Sequence, residues 1–258
     1  GFSGADLENL VNEAALLAAK RNHEHLTMND FEDAKDKVYM GLERKSKVIK
    51  EEEKRTTAYH EAGHAIVGAY VSTADALHKV TIIPRGQALG VTSFLPDRDV
   101  LSMNKEKLIG QITIALGGRA AEEISLHDYS TGVEGDLKSA TDIAYKMICQ
   151  WGMSEKLGAL TIPQGNSGNY LAMDYMPESS VSEEVQNVVD FEIHELLQNS
   201  YDTAKQILID HKDQLDALAK KLLEVETVNI DQINSILGRT PEITEKESDS
   251  EKSDPKCF

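Results

Sequence analysis

Two histidines four residues apart, with a glutamate directly after the first, stand in the run His60-Glu61-Ala62-Gly63-His64. Four residues is just over one helical turn, so a helix through this run projects both imidazoles from one face, where they can hold a single tetrahedral metal. Glu61, one step round, can reach a water on that metal without occupying a ligand position. The neighbours Thr57, Ala58, Ala62, Ala65, Ile66 and Val67 are small or apolar, which predicts a buried helix. Unpaired imidazoles and an unpaired carboxylate would be costly in such a helix, so the run demands a packed domain whose other elements supply partners. The chemistry it points to is zinc-assisted hydrolysis of an amide.

The rest of the chain is compatible with such a domain. Of 258 residues, 40% are hydrophobic, enough for a core, and the length allows one large domain or two ordinary ones. A formal net charge of −17, with 44 acidic against 27 basic side chains, argues against a nucleic-acid partner. Cys149 lies in an apolar helical pattern and Cys257 in a polar tail, so no structural disulfide is expected between them. No apolar run reaches the roughly 18 residues of a spanning helix, and the chain as given is expected to be soluble. It opens on Gly1-Phe2-Ser3-Gly4-Ala5-Asp6, a helix-capping pattern without a methionine, so further sequence is expected before it.

Periodicity predicts a mainly helical fold with one small sheet. Helices are expected over residues 5 to 22 and from about Asn29 to Met40, then a charged stretch between Glu43 and Arg55 that marks a domain boundary. A long helix from about Arg55 to Val71 precedes two strands, Lys79 to Pro84 and Val91 to Leu95, able to pair as a hairpin. Helices follow over Lys105 to Ile124 and Asp136 to Trp151. Residues 163 to 180 read as a mobile loop, Val181 to Glu226 as two long amphipathic helices, and Asn229 to Leu237 as a short one. Thr240 to Phe258 is almost free of apolar residues and is expected to be disordered.

An open catalytic zinc site needs a third protein ligand. Residue chemistry leaves four candidates: Glu122 or Glu123 after Gly117-Gly118-Arg119, His127 in the following loop, and Asp136 at a helix start, where the helix dipole alone would favour a carboxylate. Spacing does not choose among them.

Several further runs accompany the first: His78-Lys79-Val80-Thr81-Ile82-Ile83-Pro84-Arg85-Gly86, Ala88-Leu89-Gly90, Gly117-Gly118-Arg119-Ala120-Ala121-Glu122-Glu123, Ser130-Thr131-Gly132 and Trp151-Gly152-Met153-Ser154. Together they resemble the peptidase domain of the FtsH-type ATP-dependent zinc metalloproteases, a family that includes mitochondrial inner-membrane AAA proteases. Residues 1 to 45 resemble the helical lid subdomain that ends the family's ATPase module. The resemblance implies a helical lid over 1–45, a zinc peptidase domain with a small β-sheet over 46–238, and an acidic tail over 239–258. It assigns zinc to His60, His64 and Asp136, the general base to Glu61, and to Glu122 the orienting of a ligating histidine. The Glu134-Gly135 pair departs from the polar residues that the family places before that aspartate. The strand from Gly90 to Leu95, with Val91 and Thr92, becomes the edge that receives an extended substrate.

The resemblance further implies an endopeptidase that degrades unfolded or membrane polypeptides as a homo-hexamer. Its anchor would lie in the mitochondrial inner membrane or, alternatively, the bacterial cytoplasmic membrane. ATP and Mg2+ would bind only in the full-length protein, with Gly4 and Ala5 as nucleotide contacts, because no G-x-x-x-x-G-K-[ST] loop occurs here. A competing reading makes the chain an oligomerisation scaffold whose metal only fixes the fold. Closed structural zinc sites usually draw on cysteines, which are scarce here.

Overall fold

The computed structural model describes residues 2–41, 49–85, 88–95, 102–162 and 182–239. The expected loop over 163 to 180, the tail from Thr240, Cys257 and part of the charged boundary stretch lie outside them.

The first two helices, α1 (Gly4–Lys20) and α2 (Met28–Met40), form a hairpin. Each starts on a reciprocal cap: Ser3 and Asp6 exchange side-chain and backbone hydrogen bonds, as do Thr27 and Asp30. Asp30 is fully buried and also accepts from Arg21 (2.9 Å), so one carboxylate ties the hairpin's turn to its second helix. The hairpin meets the rest of the chain through Asp36: its side chain pairs with Lys79, and its carbonyl accepts from Arg85 Nη1 (3.4 Å).

The second region is built around α3 (Glu51–Tyr70). Glu51, Glu52 and Glu53 in its first turn complement the helix dipole. From Thr57 to Gly68 every residue but His60 is buried. Helices α4 (Lys105–Leu126), α5 (Glu134–Tyr145), α6 (Glu183–Asp210), α7 (Lys212–Val225) and α8 (Ile230–Leu237) complete the helical set. Ala62 and Ile66 of α3 share one core with Leu208 of α6, Leu215, Leu218 and Leu222 of α7, and Ile233 of α8. Helices α3 and α4 cross in close contact: a Cβ built on Gly63 would lie 2.5 Å from both the Gly117 carbonyl oxygen and Ala121 Cβ. Glycine at 63 therefore lets the two backbones touch, which brings the His60–His64 face onto α4.

Among the described residues the fold is mainly helical with one antiparallel three-stranded sheet, in the order β2 (Val91–Leu95), β1 (Ala76–Thr81), β3 (Thr227–Asn229). Val80 pairs with Thr92 on one side and with Val228 on the other, and the register shifts between Leu77 and Lys79. The hairpin of β1 and β2 matches expectation, but β1 starts three residues earlier and stops before Ile82. There Ile83 N–H donates to Thr81 Oγ1 (3.2 Å) and bends the chain away, while Ile82 stays in the core, so the apolar run outlasts the ladder. The third strand escapes periodicity because it is only three residues long and follows α7 directly. Helix α5 begins two residues before the expected Asp136 and passes into a π turn over Lys146–Gln150, closed by Trp151 N–H on the Lys146 carbonyl (2.9 Å).

Candidate metal centre

Helix α3 presents His60 and His64 on one face, and the first turn of α5 brings Asp136 against them. His60 Nε2 lies 3.1 Å from Asp136 Oδ2, His64 Nε2 lies 3.4 Å from the same oxygen, and the two Nε2 atoms are 3.0 Å apart. Bonds of about 2.0–2.2 Å to a tetrahedral zinc would separate ligand atoms by about 3.3–3.6 Å, a few tenths of an ångström from these distances.

The outer hydrogen bonds decide what the inner atoms can do. His64 Nδ1 sits 2.7 Å from the Ile114 carbonyl, which only accepts, so a neutral His64 turns its Nε2 lone pair inward. His60 Nδ1 is 2.8 Å from Glu122 Oε1, with the same consequence. Two lone pairs and a carboxylate oxygen thus face one small space that has room for a single cation, a proton or a metal. Where a proton takes it, burial opposes the charge on His60, but the hydrogen bonds to Asp136 and Glu122 outweigh burial and raise its pKa to about 10. Burial likewise raises the Asp136 carboxyl, yet both imidazoles together hold it well below the usual carboxylate range.

Glu122 is 1% exposed and carries more than His60. Its Oε2 accepts the Ser130 N–H (2.6 Å) and its Oε1 accepts the Ser130 hydroxyl (2.9 Å). Ser130 caps the short 3-10 turn Thr131–Val133 that leads into α5. One buried carboxylate therefore fixes both a histidine ring and the loop that delivers Asp136. Burial pushes the Glu122 carboxyl up, but these hydrogen bonds and His60 bring it below its ordinary value.

Glu61 is buried beside the pair, one step round α3. Burial raises its carboxyl, against the lowering effect of the two histidines and of the Thr92 hydroxyl, which donates to Oε2 at 2.6 Å. A cleft of about 1210 Å³ opens over His60, Glu61, His64 and Asp136, walled on one side by Val91, Thr92 and Phe94 of the outer strand β2 and on the other by Ile114 and Ala115 of α4.

The sequence left four third-ligand candidates, and the structure brings Asp136 to the histidines and Glu122 behind one of them. Glu123 instead bonds Tyr201 and Lys205, and His127 is exposed at the left-handed end of α4. Gly4 and Ala5 are exposed on α1 and line no part of the cleft. Sequence reasoning missed the Ile114 carbonyl, the contact of Thr92 with Glu61, and Gly118. A Cβ on Gly118 would lie 2.5 Å from His60 Cε1 and 2.6 Å from His64 Nε2, so only glycine leaves the rings their room. The Gly117-Gly118 pair beside a helical run was the available signal.

Two helix-borne imidazoles, a carboxylate from a second helix, an adjacent buried glutamate and an open cleft define a metal-dependent peptidase site. The chain belongs to peptidase family M41, whose sequence profile matches residues 47–236. Residues 1–33 match the AAA+ lid domain. Similar proteins include the ATP-dependent zinc metalloprotease FtsH 2 of Methylacidiphilum infernorum, 47% identical over 237 residues that cover 92% of this chain and 37% of that protein. The ATP-dependent zinc metalloprotease FtsH of Buchnera aphidicola is 49% identical over 241 residues, covering 93% of this chain and 40% of that protein. FtsH 1 of Bdellovibrio bacteriovorus is 48% identical over 239 residues, with 92% and 37% covered. The chain thus spans less than half the length of these relatives. Among the described residues no helix is long and apolar enough to cross a membrane.

Proposed function

We propose that this chain is the zinc endopeptidase portion of an ATP-dependent, membrane-anchored protease that degrades unfolded or membrane polypeptides. The observation that carries the reading is the convergence of His60 Nε2, His64 Nε2 and Asp136 Oδ2 on one point beside Glu61. His60, His64 and Asp136 would hold the ion, Glu122 and the Ile114 carbonyl keeping the two rings in place. Zinc held there would supply a Lewis acid for the scissile carbonyl and would make a water more acidic. Glu61 takes the proton of the attacking water and returns it to the leaving amine. The upward push of burial on its carboxyl suits a group that must both accept and give back a proton. Strand β2, outermost in the sheet and lining the cleft, offers its main chain to an extended peptide at Val91 and Thr92.

Residues 1–45 act as the lid of an ATPase module, 46–238 as the peptidase and 239–258 as an acidic tail. In the intact protein Gly4 and Ala5, exposed at the start of α1, contact nucleotide, and ATP with Mg2+ belongs to that module. A homo-hexamer encloses the sites. The relatives compared are bacterial, which favours the bacterial cytoplasmic membrane and gives no support to a mitochondrial location.

The test is zinc content and casein turnover of the parent beside Glu61→Gln. Bound zinc in both, with turnover only in the parent, is the expected result. A folded parent that takes up no zinc overturns the reading.

A further inference from the structure

The side chains of β2 that face α3 do more than pack. Thr92 and Phe94 share one face of the strand, and Gly90, just before its first residue, lies on the same side. Phe94 lies over Gly68, where a Cβ would come within 2.4 Å of its ring. The other two positions meet Glu61. A Cβ on Gly90 would lie 2.7 Å from Glu61 Oε1 and 2.7 Å from its Cγ, so the missing side chain leaves the slot in which the carboxylate sits. The Thr92 hydroxyl is 2.6 Å from Glu61 Oε2 and 3.0 Å from the Glu61 backbone carbonyl. A hydroxyl has one proton to donate, and the carboxylate is both the nearer and the stronger acceptor.

We propose that Thr92 is a positioning residue for Glu61: its hydroxyl pins one carboxylate oxygen so that the other is left for the attacking water. The inference rests on the reading of Glu61 as the base. It gives β2 two roles, because the strand that lines the cleft also sets the aim of the group that works there. A peptide added to that strand is thereby held in register with the base.

The experiment compares Thr92→Val, Thr92→Ser and Glu61→Gln in the zinc-loaded protease with its ATPase module, using a short unstructured fluorogenic peptide so that unfolding does not limit the rate. Zinc per chain and melting temperature are measured on the same samples. Thr92→Val keeps the methyl packing and removes the donor, so kcat should fall roughly 10- to 100-fold, the scale of a misaimed catalytic group, with KM within about twofold and zinc content unchanged. Thr92→Ser should recover kcat to within about threefold. Unchanged kcat in Thr92→Val overturns the proposal. So does a rise in KM alone, which would confine Thr92 to substrate binding, or a serine variant no better than valine, which would make the methyl group the important part. Parental turnover in Glu61→Gln would instead overturn the assignment of the base, and the proposal with it.

Discussion

Replacing Gly118 by alanine places a methyl group where the two imidazole rings of the candidate metal centre already are. Its carbon would lie 2.5 Å from His60 Cε1, 2.7 Å from His60 Nδ1 and 2.6 Å from His64 Nε2, against about 3.5–4.0 Å for an ordinary contact, an overlap of about 1 Å on each ring. Neither side can yield cheaply. The rings are held from behind by Glu122 and the Ile114 carbonyl at 2.8 and 2.7 Å. Helix α4 cannot recede without losing its contact with α3, where Gly117 already packs against the Gly63 carbonyl. At least one imidazole must therefore rotate, giving up a buried hydrogen bond that is worth about 1–3 kcal/mol. That converts to zinc affinity roughly 5- to 150-fold weaker, and turnover of whatever enzyme remains loaded should fall by about 100-fold as the ligands move by about 1 Å. Competition with a chromophoric chelator measures the first quantity and peptide cleavage the second, with a thermal melt to establish that the metal-free variant still folds. A folded Gly118→Ala protein with parental zinc affinity and turnover would refute the reasoning, because it would mean that the rings are not confined as described.

Glu122→Gln keeps an acceptor for His60 but removes the charge, so zinc should bind about 10-fold more weakly. Glu122→Ala also strands the Ser130 N–H and should cost about 100-fold; equal affinities in parent and both variants, by the same chelator assay, would contradict the role given to this carboxylate. The pH dependence of zinc uptake follows from His60. Its pKa in the metal-free fold is raised to about 10, so the site holds a proton at neutral pH that zinc must displace. Apparent affinity should accordingly rise about tenfold per pH unit below that value, and calorimetry in buffers of different ionisation enthalpy should register about one proton released. A pH-independent affinity between pH 6 and 8 would contradict it.

The part of the site that was legible in the sequence is the part that one helix carries. His60, Glu61 and His64 announce themselves because their spacing matches the helical period and their neighbours are too apolar for an exposed face. Asp136 is seventy-odd residues away, and only the crossing of α3 with α4 and the capped turn at Ser130 carries it in, so spacing left it level with Glu123 and His127 until the family resemblance chose it. The Ile114 carbonyl has no residue-type signature at all, since any residue carries one. Gly118 and Gly90 act by lacking a side chain, which a single sequence cannot distinguish from a loose turn or a packing glycine. The sequence places Thr92 in a candidate receiving edge, but the contact of its side chain with Glu61 on α3 depends on the register that pairs it with Val80. In the fold, long amphipathic helices such as α6 and α7 were plain from their apolar positions. The three-residue strand β3 depends wholly on β1 being there to pair with it.

The most direct test of the account is anomalous diffraction at the zinc absorption edge from crystals of the zinc-loaded chain. One strong peak is expected about 2.0–2.2 Å from His60 Nε2, His64 Nε2 and an Asp136 carboxylate oxygen, with Glu61 outside the ligand set. A peak bound by the two histidines with Asp136 turned away, or with Glu61 as a ligand, would contradict it.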